Sequence, residues 1–513
     1  LGLAAAALAA LPRASRAQGG AMLRVAFDAE WTALDPHFHS FPYNLSVAYH
    51  LFDALTAHDA NQQAVPRLAR SWRALGTEGW EFVLRDDVRF QDGSTVTAAD
   101  VVASVARIRA IRNSPGPLTT VIRPVSEVTA KDAHTVTVMT SVPTPALPNL
   151  MTSVFIVPAR LAEATGEDFA TGRAQTGSGP FKFVSYARGD RLVLEPNPTH
   201  WGEKPGWART ELRIIPNAGA REAALLAGDV DFIVNPSTTS VERLKADPNF
   251  LVHQAISTRI TYLQVHQGET PKADMGGTGG KNPFADPRVR RAVSLAIPRQ
   301  AICERILDGL AVPASQIIGP GQSGHDPSLA VEPPDPDQAR RLLAEAGWAQ
   351  GFEVRLSTPS DRNMNGRRVA EAIASALTRI GIRVAVNAVP LNVWLAEWRR
   401  GEYSMVLHGA GPVPVTWTLV PQLVGTKDMA AGFGPSNESH FSNPALDAVM
   451  REALGEIDTG RREALLHRAA QTVRAETAVI PLHHEAAIWA SRRGLTFAAR
   501  SDTLTYATDI RSA

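Results

Sequence analysis

The sequence predicts an α/β protein of more than one domain, and three observations carry that expectation. The chain has 513 residues, too many for one ordinary hydrophobic core. Its first half alternates apolar and polar residues in short runs, which reads as strands with one wet face. Its last third repeats strand, helix, strand, helix, strand, an order that predicts a parallel sheet with helical crossovers.

In chain order, LGLAAAALAALP and then Arg13-Ala14-Ser15-Arg16-Ala17 resemble the apolar region and small-residue cleavage site of a secretory signal. Strand alternation follows in WEFVLRDDVRF (80–90), HTVTVMT (134–140), FKFVSY (181–186), RLVLEP (191–196) and ELRIIP (211–216). Helical periods cover 97–112, 220–228, 287–309, 335–346, 366–380 and 444–475. Thr97-Ala98-Ala99-Asp100 reads as a capping box, and Asp335-Pro336-Asp337 as a helix start. FEVRLSTP, RVAVNAVP and YSMVLHG are the three strands of the last third. Ligands of such sheets sit beyond the carboxyl ends of the strands. The stretch MVLHGAGPVPVTW (405–417) is such an end, and it carries no acidic group.

Composition narrows the function. Hydrophobic residues are 44% and charged residues 20%, with a formal net charge of +1, so nothing favours a nucleic-acid partner. No later run approaches the ~20 apolar residues a membrane span needs. Cys303 is the only cysteine and sits in a helical pattern, AICERIL, as a small buried hydrophobe. Enzyme motifs fail on inspection. GGTGGK (276–281) is one residue short of a phosphate loop, and Asn282 stands where Ser or Thr must hold magnesium. PGQSGH (320–325) has His325 at the second glycine position of a nucleophile elbow, and HHEAA (483–487) is not HExxH. His37, His39 and His50 lack acid or thiol partners at a metal-site spacing. The expectation is a non-enzyme without metal or cofactor.

The segments LFDALTAHDANQQAVPRLARSW (51–72) and WEFVLRDDVRFQDGSTVTAADVVAS (80–104) carry three elements in order: P-x-LA-x-SW, LR-x-x-V-x-F-x-DG and T-A-x-DV. TGSGPFKFVSY, ALLAGDVDFI, FADPRVRRAVSLAI, ARRLLAEAGW, IGIRV and VIPLHH follow downstream. This series resembles the extracytoplasmic solute-binding proteins of ABC importers, family 5, which includes oligopeptide-, dipeptide- and nickel-binding members. The resemblance implies a two-lobe periplasmic-binding-protein fold (class II/cluster C-like) with an extra β-rich subdomain in lobe one. Residues 1–21 become signal remnant and linker. Residues 22–55, 172–258 and 483–513 become lobe one, 56–171 its inserted subdomain and 259–482 lobe two. It also implies a periplasmic, soluble monomer without a lipid-anchor cysteine, whose partners are a small-molecule ligand and a membrane-embedded permease.

Site residues follow by carrying the resemblance over position by position. Peptide-binding members hold the ligand ammonium with an aspartate in GW-x-x-D after the strand at 403–408. Here the aligned stretch is Gly409-Ala410-Gly411-Pro412-Val413, with Ala410 for the tryptophan and Val413 for the acid. A buried ammonium without a counter-charge costs roughly 2–5 kcal/mol, so this wall disfavours a free amino end. Dipeptide-binding members grip the ligand carboxylate with an arginine in the loop where this chain has Arg362, which is either that contact or a surface arginine. His408 reads as a ligand hydrogen-bonder or a carbonyl cap. Trp417 reads as a cleft aromatic, and Trp394, four residues before Trp398 on one helix face, as a contact or a core residue. His37, Phe41 and Tyr43 fall in a segment that lines the cleft in the family. The expected ligand is a small organic solute with an anionic group. The alternatives are a peptide bound through another acid such as Glu438, a nickel chelate held by His37 or His408 and, from a different class, a secreted hydrolase, for which the sequence shows no nucleophile–base pair.

Overall fold

A parallel trio of strands organises the first lobe. In the computed structural model, which describes residues 22–360, 362–413 and 415–513, β1 (Met22–Phe27) lies between β2 (Arg209–Ile214) and β3 (Phe232–Val234) and runs parallel to both. The expected signal segment lies outside the described residues. α1 (Pro42–Leu51) covers this sheet, with Pro42 pre-setting its first turn and Leu45, Val47, Ala48 and Leu51 in the core. That core also gathers Phe27, Phe52, Phe181, Phe232 and Trp489.

β4 (Phe250–Val265) then leads into the βαβαβ unit: β5 (Phe352–Pro359), α2 (Gly366–Thr378), β6 (Ile382–Val389), α3 (Leu391–Arg399) and β7 (Met405–Ala410). β5 is parallel to both β6 and β7, as the strand–helix alternation predicts, with β5 in the middle. The chain returns through β8 (Ile480–Arg492), which is buried at all but its last residue. β4 and β8 pair antiparallel from Phe250↔Arg492 to Leu263↔Ile480, with register shifts between Ile256 and Ile260 and between Thr261 and Tyr262. Among the described residues one sheet runs in the order β6, β5, β7, β4, β8, β3, β1, β2, and β4 and β8 carry it from one lobe to the other. A second core, including Leu263, Phe352, Ile373, Leu407 and Leu482, packs beneath the βαβαβ unit.

The β-rich subdomain has its own four-stranded sheet, in the order Ala69–Ala74, Gly79–Leu84, Thr135–Thr140, Val125–Ala130. Its helix Ala98–Ala110 begins with the capping box read from the sequence. Asp100 Oδ2 accepts from Thr97 N and Thr97 Oγ1, both at 2.8 Å. Asp335 likewise caps the helix Pro336–Glu345 by accepting from Gln338 N at 2.8 Å. Gly177 passes so close to α1 that a Cβ there would stand 1.9 Å from Leu51 O, which explains the glycine.

Two long helical periods are each two helices. The 287–309 pattern divides into Pro287–Ala296 and Arg299–Arg305, because Pro298 cannot donate within a continuous helix. The 444–475 pattern divides into Pro444–Gly455 and Thr459–Ala475, the second capped by Asp458. The ELRIIP strand starts earlier, at Arg209, to match β1 residue for residue. Cys303 is buried, and burial pushes its thiol up to about 12. Among the described residues no helix is long and apolar enough to cross a membrane.

Candidate functional site

The carboxyl ends of the parallel strands in both lobes converge on one cleft. In the second lobe, β5 ends at Pro359 before the loop that holds Arg362 and Asn363, and β7 ends at Ala410 before Gly411-Pro412. In the first lobe, β1 ends at Phe27, just before Asp28, and β3 at Val234, just before Asn235. A cavity of about 510 Å³ has Pro412 and Val413 of the second lobe on one side and Ser40, Pro42, Leu45, Tyr49 and Asp502 on the other, with His58, Gln62, Thr152 and Ser153 from the inserted subdomain closing it.

Arg259, on β4, organises the second-lobe wall. Its Nε lies 3.2 Å from Glu485 Oε2 on β8, its Nη1 donates to Gly411 O at 3.2 Å, and its Nη2 to Asn363 Oδ1 at 3.0 Å. Glu485 is held in turn by Thr261 Oγ1 at 2.9 Å. An arginine can only donate, so Asn363 must present its oxygen to it and turn its NH₂ group the other way. That Nδ2 is buried and has no hydrogen-bond partner among the described residues. A Cβ at Gly409 would stand 2.5 Å from Arg259 Nη2, so this glycine makes room for the guanidinium.

Arg362 contrasts with Arg259. Among the described residues it has neither hydrogen bond nor ion pair. Partial desolvation, then the positive charge of Arg259, pull its pKa below the ordinary arginine value, while Glu485 and the Tyr43 phenol of the opposite lobe oppose that shift. A guanidinium without a hydrogen-bond or ion-pair partner among the described residues keeps its planar fork of donors open. The N-terminus of α1, with no side-chain cap on Phe41, adds its positive end to the same cleft.

The other sequence-predicted residues scatter. Tyr43 packs partly buried against the first-lobe core; burial and then the Asp28 charge raise its phenol. Ala410 and Val413 are partly buried at the wall, and Gly409 lies beneath Arg259 rather than facing a ligand. His408 stacks on Trp394 with ring centroids 4.5 Å apart, and burial followed by the charges of Arg259 and Arg362 lowers it to about 3. Among the described residues its Nδ1 has no hydrogen-bond partner and the ring caps no backbone carbonyl. Trp394 is 0% exposed among Trp398, Tyr403 and Val406, so it belongs to the core behind His408 and offers a ligand no surface. Trp417 lies farther along, between Gln62 and Arg462, where the inserted subdomain approaches the second lobe. Phe41 is exposed, stacked on His39 and pressed over Gly116.

His37 is a structural residue. It is 1% exposed, with Nε2 2.7 Å from Phe155 O and Nδ1 3.1 Å from Arg107, whose guanidinium forks onto Asp35 at 2.7 Å. The three histidines weighed as a metal set have separate partners: His37 as above, His39 on Thr32 Oγ1, and His50 on Ser46 O. Glu438 accepts from Lys427 Nζ through both oxygens at 2.9 Å. Arg259, Asn363 and Glu485 were missed. Arg259 had a signal in its place beside the expected crossing point near residue 258, but its pairing with Glu485 is a tertiary event.

The model of bacterial extracellular solute-binding proteins, family 5 Middle, matches residues 63–429. Heme-binding protein A of Haemophilus influenzae is 27% identical over 321 residues, 60% of this chain and 54% of that protein, so the chain spans about half the length of that relative. Di/tripeptide-binding protein 2 of Pseudomonas aeruginosa is 26% identical over 504 residues, 92% of this chain and 91% of that one. The structure of HbpA2 from Haemophilus parasuis shares the fold with a TM-score of 0.82 at 21% identity, covering 96% of this chain and 100% of that one. The chain belongs to the bacterial extracellular solute-binding proteins of family 5, the substrate-binding components of ABC importers.

Proposed function

We propose that this chain captures a small organic solute bearing an anionic group between its two lobes and delivers it, as a periplasmic monomer, to a membrane-embedded ABC permease. Arg362 carries the reading: a cleft guanidinium without a protein partner among the described residues, opposite Tyr43 of the other lobe. A carboxylate or phosphate satisfies its planar fork. The apolar remainder of the solute lies against Pro42, Leu45, Pro412 and Val413.

Capture follows from closure about β4 and β8. Residues 22–55, 172–258 and 483–513 move as lobe one with 56–171 attached, against 259–482 as lobe two. The register shifts beside Ile256 and Thr261 supply the break in the paired strands where bending is cheapest. Native mass spectrometry of the protein as purified tests the reading. The expected result is a bound small molecule that leaves on denaturation with its mass unchanged and carries a carboxylate or phosphate; a retained uncharged or purely cationic molecule refutes it.

A further inference from the structure

A second cavity, of about 700 Å³, lies apart from the cleft. It shares no lining residue with the cavity at Pro412 and Val413, and every residue around it falls between 291 and 481. Its volume is within the roughly 300–1,000 Å³ of small-molecule sites. Ile317, Trp417, Val420, Leu466 and Val473, all buried, give it an apolar wall.

Its charged lining residues are Arg291, Arg299, Arg474 and Glu332, three cations to one anion. Both oxygens of that one carboxylate are taken. Arg291 forks onto them at 2.5 and 2.6 Å, and Arg474 Nη2 lies 3.0 Å from Oε1. These three side chains are partly exposed, so solvent reaches the cavity on their side.

Arg299 is the most buried of the cations, at 8% exposed, and among the described residues it has no ion pair. Its Nε donates to Pro481 O at 2.7 Å, and its Nη1 and Nη2 donate to Ser294 O and Oγ, both at 2.8 Å. These bonds brace β8 against the helix Pro287–Ala296. They use three of the five guanidinium N–H groups, which leaves one on each terminal nitrogen without a partner among the described residues. Burial pulls Arg299 down to about 10, with Glu332 opposing the fall and Arg474 and Arg291 adding to it. It is therefore still a cation at neutral pH.

We propose that this cavity is a second ligand site, for a small monocarboxylic acid with an apolar body. The carboxylate accepts from Arg299, and the chain or ring lies against Trp417, Val420 and Leu466. A bound carboxylate supplies the negative charge that Glu332, shared between two arginines, does not. A neutral apolar molecule would leave the Arg299 donors unmatched, and a small polar anion would leave the apolar wall wet. Because residues 22–258 contribute nothing to the lining, occupancy does not require the lobes to close, and the cleft reading does not depend on it.

The experiment titrates the full chain with decanoate and with decanol, which has the same chain without the charge, below the concentrations at which either aggregates. Calorimetry is run on the wild type, Arg299→Gln, Ala470→Phe and Arg362→Gln, with far-UV circular dichroism checking each fold. Ala470 lines the cavity from the helix Thr459–Ala475, so Ala470→Phe fills the space without removing a polar group. The expected result is one decanoate per chain, bound about tenfold or more tighter than decanol. Arg299→Gln should erase that preference, Ala470→Phe should abolish the binding, and Arg362→Gln should do neither. Equal binding of acid and alcohol by the wild type, or no binding of decanoate, overturns the proposal. Undiminished binding by a folded Ala470→Phe overturns it as well, and so does loss of binding in Arg362→Gln, which moves the acid to the cleft. Photolabelling of the wild type with decanoate carrying a terminal diazirine decides the matter where a variant fails to fold. Adducts at 315–324, 417–420 or 466–473 support the cavity, and adducts elsewhere overturn it.

Discussion

Arg259 lies across Gly409, where a Cβ would stand 2.5 Å from its Nη2 and 3.0 Å from Asn363 Oδ1. The glycine therefore sets the height of the guanidinium that orients Asn363, and Glu485 sets its direction from a strand that crosses between the lobes. Gly409→Ala should displace Arg259, the far end of a flexible side chain, more readily than it disturbs the backbone. The expected outcome is a loss of stability of about 1 kcal/mol in denaturant titration, with a larger proportional loss of ligand affinity by calorimetry. Unchanged affinity would remove the Arg259–Asn363 contact from the site.

Arg362→Ala separates binding from folding. Removing a charge-assisted contact should weaken ligand binding by roughly 2 kcal/mol, about thirtyfold. Because the side chain has no protein partner among the described residues, the melting temperature of the ligand-free protein should stay within a degree or two. A large fall in melting temperature with unchanged affinity would mark Arg362 as structural.

Trp394→Ala should do the reverse. The indole is fully buried and stacked between His408 and Trp398 at centroid distances of 4.5 and 5.3 Å. Its truncation should cost about 3–5 kcal/mol in denaturant unfolding. Affinity per folded molecule should change far less than in Arg362→Ala.

Arg107→Ala should destabilise lobe one by about 3–5 kcal/mol, since it strands the buried Asp35 carboxylate. Calorimetric melting is the check. A variant as stable as the wild type would contradict the structural role given to the Asp35–Arg107–His37 group.

Acid should unfold the protein through its histidines before its carboxylates. Burial lowers His37, His50 and His483 from 6.5 to about 4, and His484 to about 3. Each binds fewer protons folded than unfolded, so it adds stability above pH 6.5 that is lost as pH falls toward 4. The slope is about 1.4 kcal/mol per pH unit for each such group. The melting temperature should therefore drop steeply between pH 6.5 and 4, and a flat profile across that window would show these rings protonated in the fold.

What the sequence by itself determined is local and serial. The alternation at 352–359, the helix at 366–378 and the capping acids at Asp100 and Asp335 follow from periodicity and side-chain chemistry within a few residues. The placing of Arg362 in a loop beyond the first strand of the βαβαβ unit was legible for the same reason. Tertiary structure decided which charges are matched and which rings are buried. Arg259 and Arg362 look alike in the sequence, but β4–β8 pairing brings Glu485 into contact with Arg259, while Arg362 has no ion pair among the described residues. His37 went to Asp35 and Arg107 and Trp394 went to the core, because burial and pairing depend on distances between segments remote in the chain. No periodicity encodes those distances.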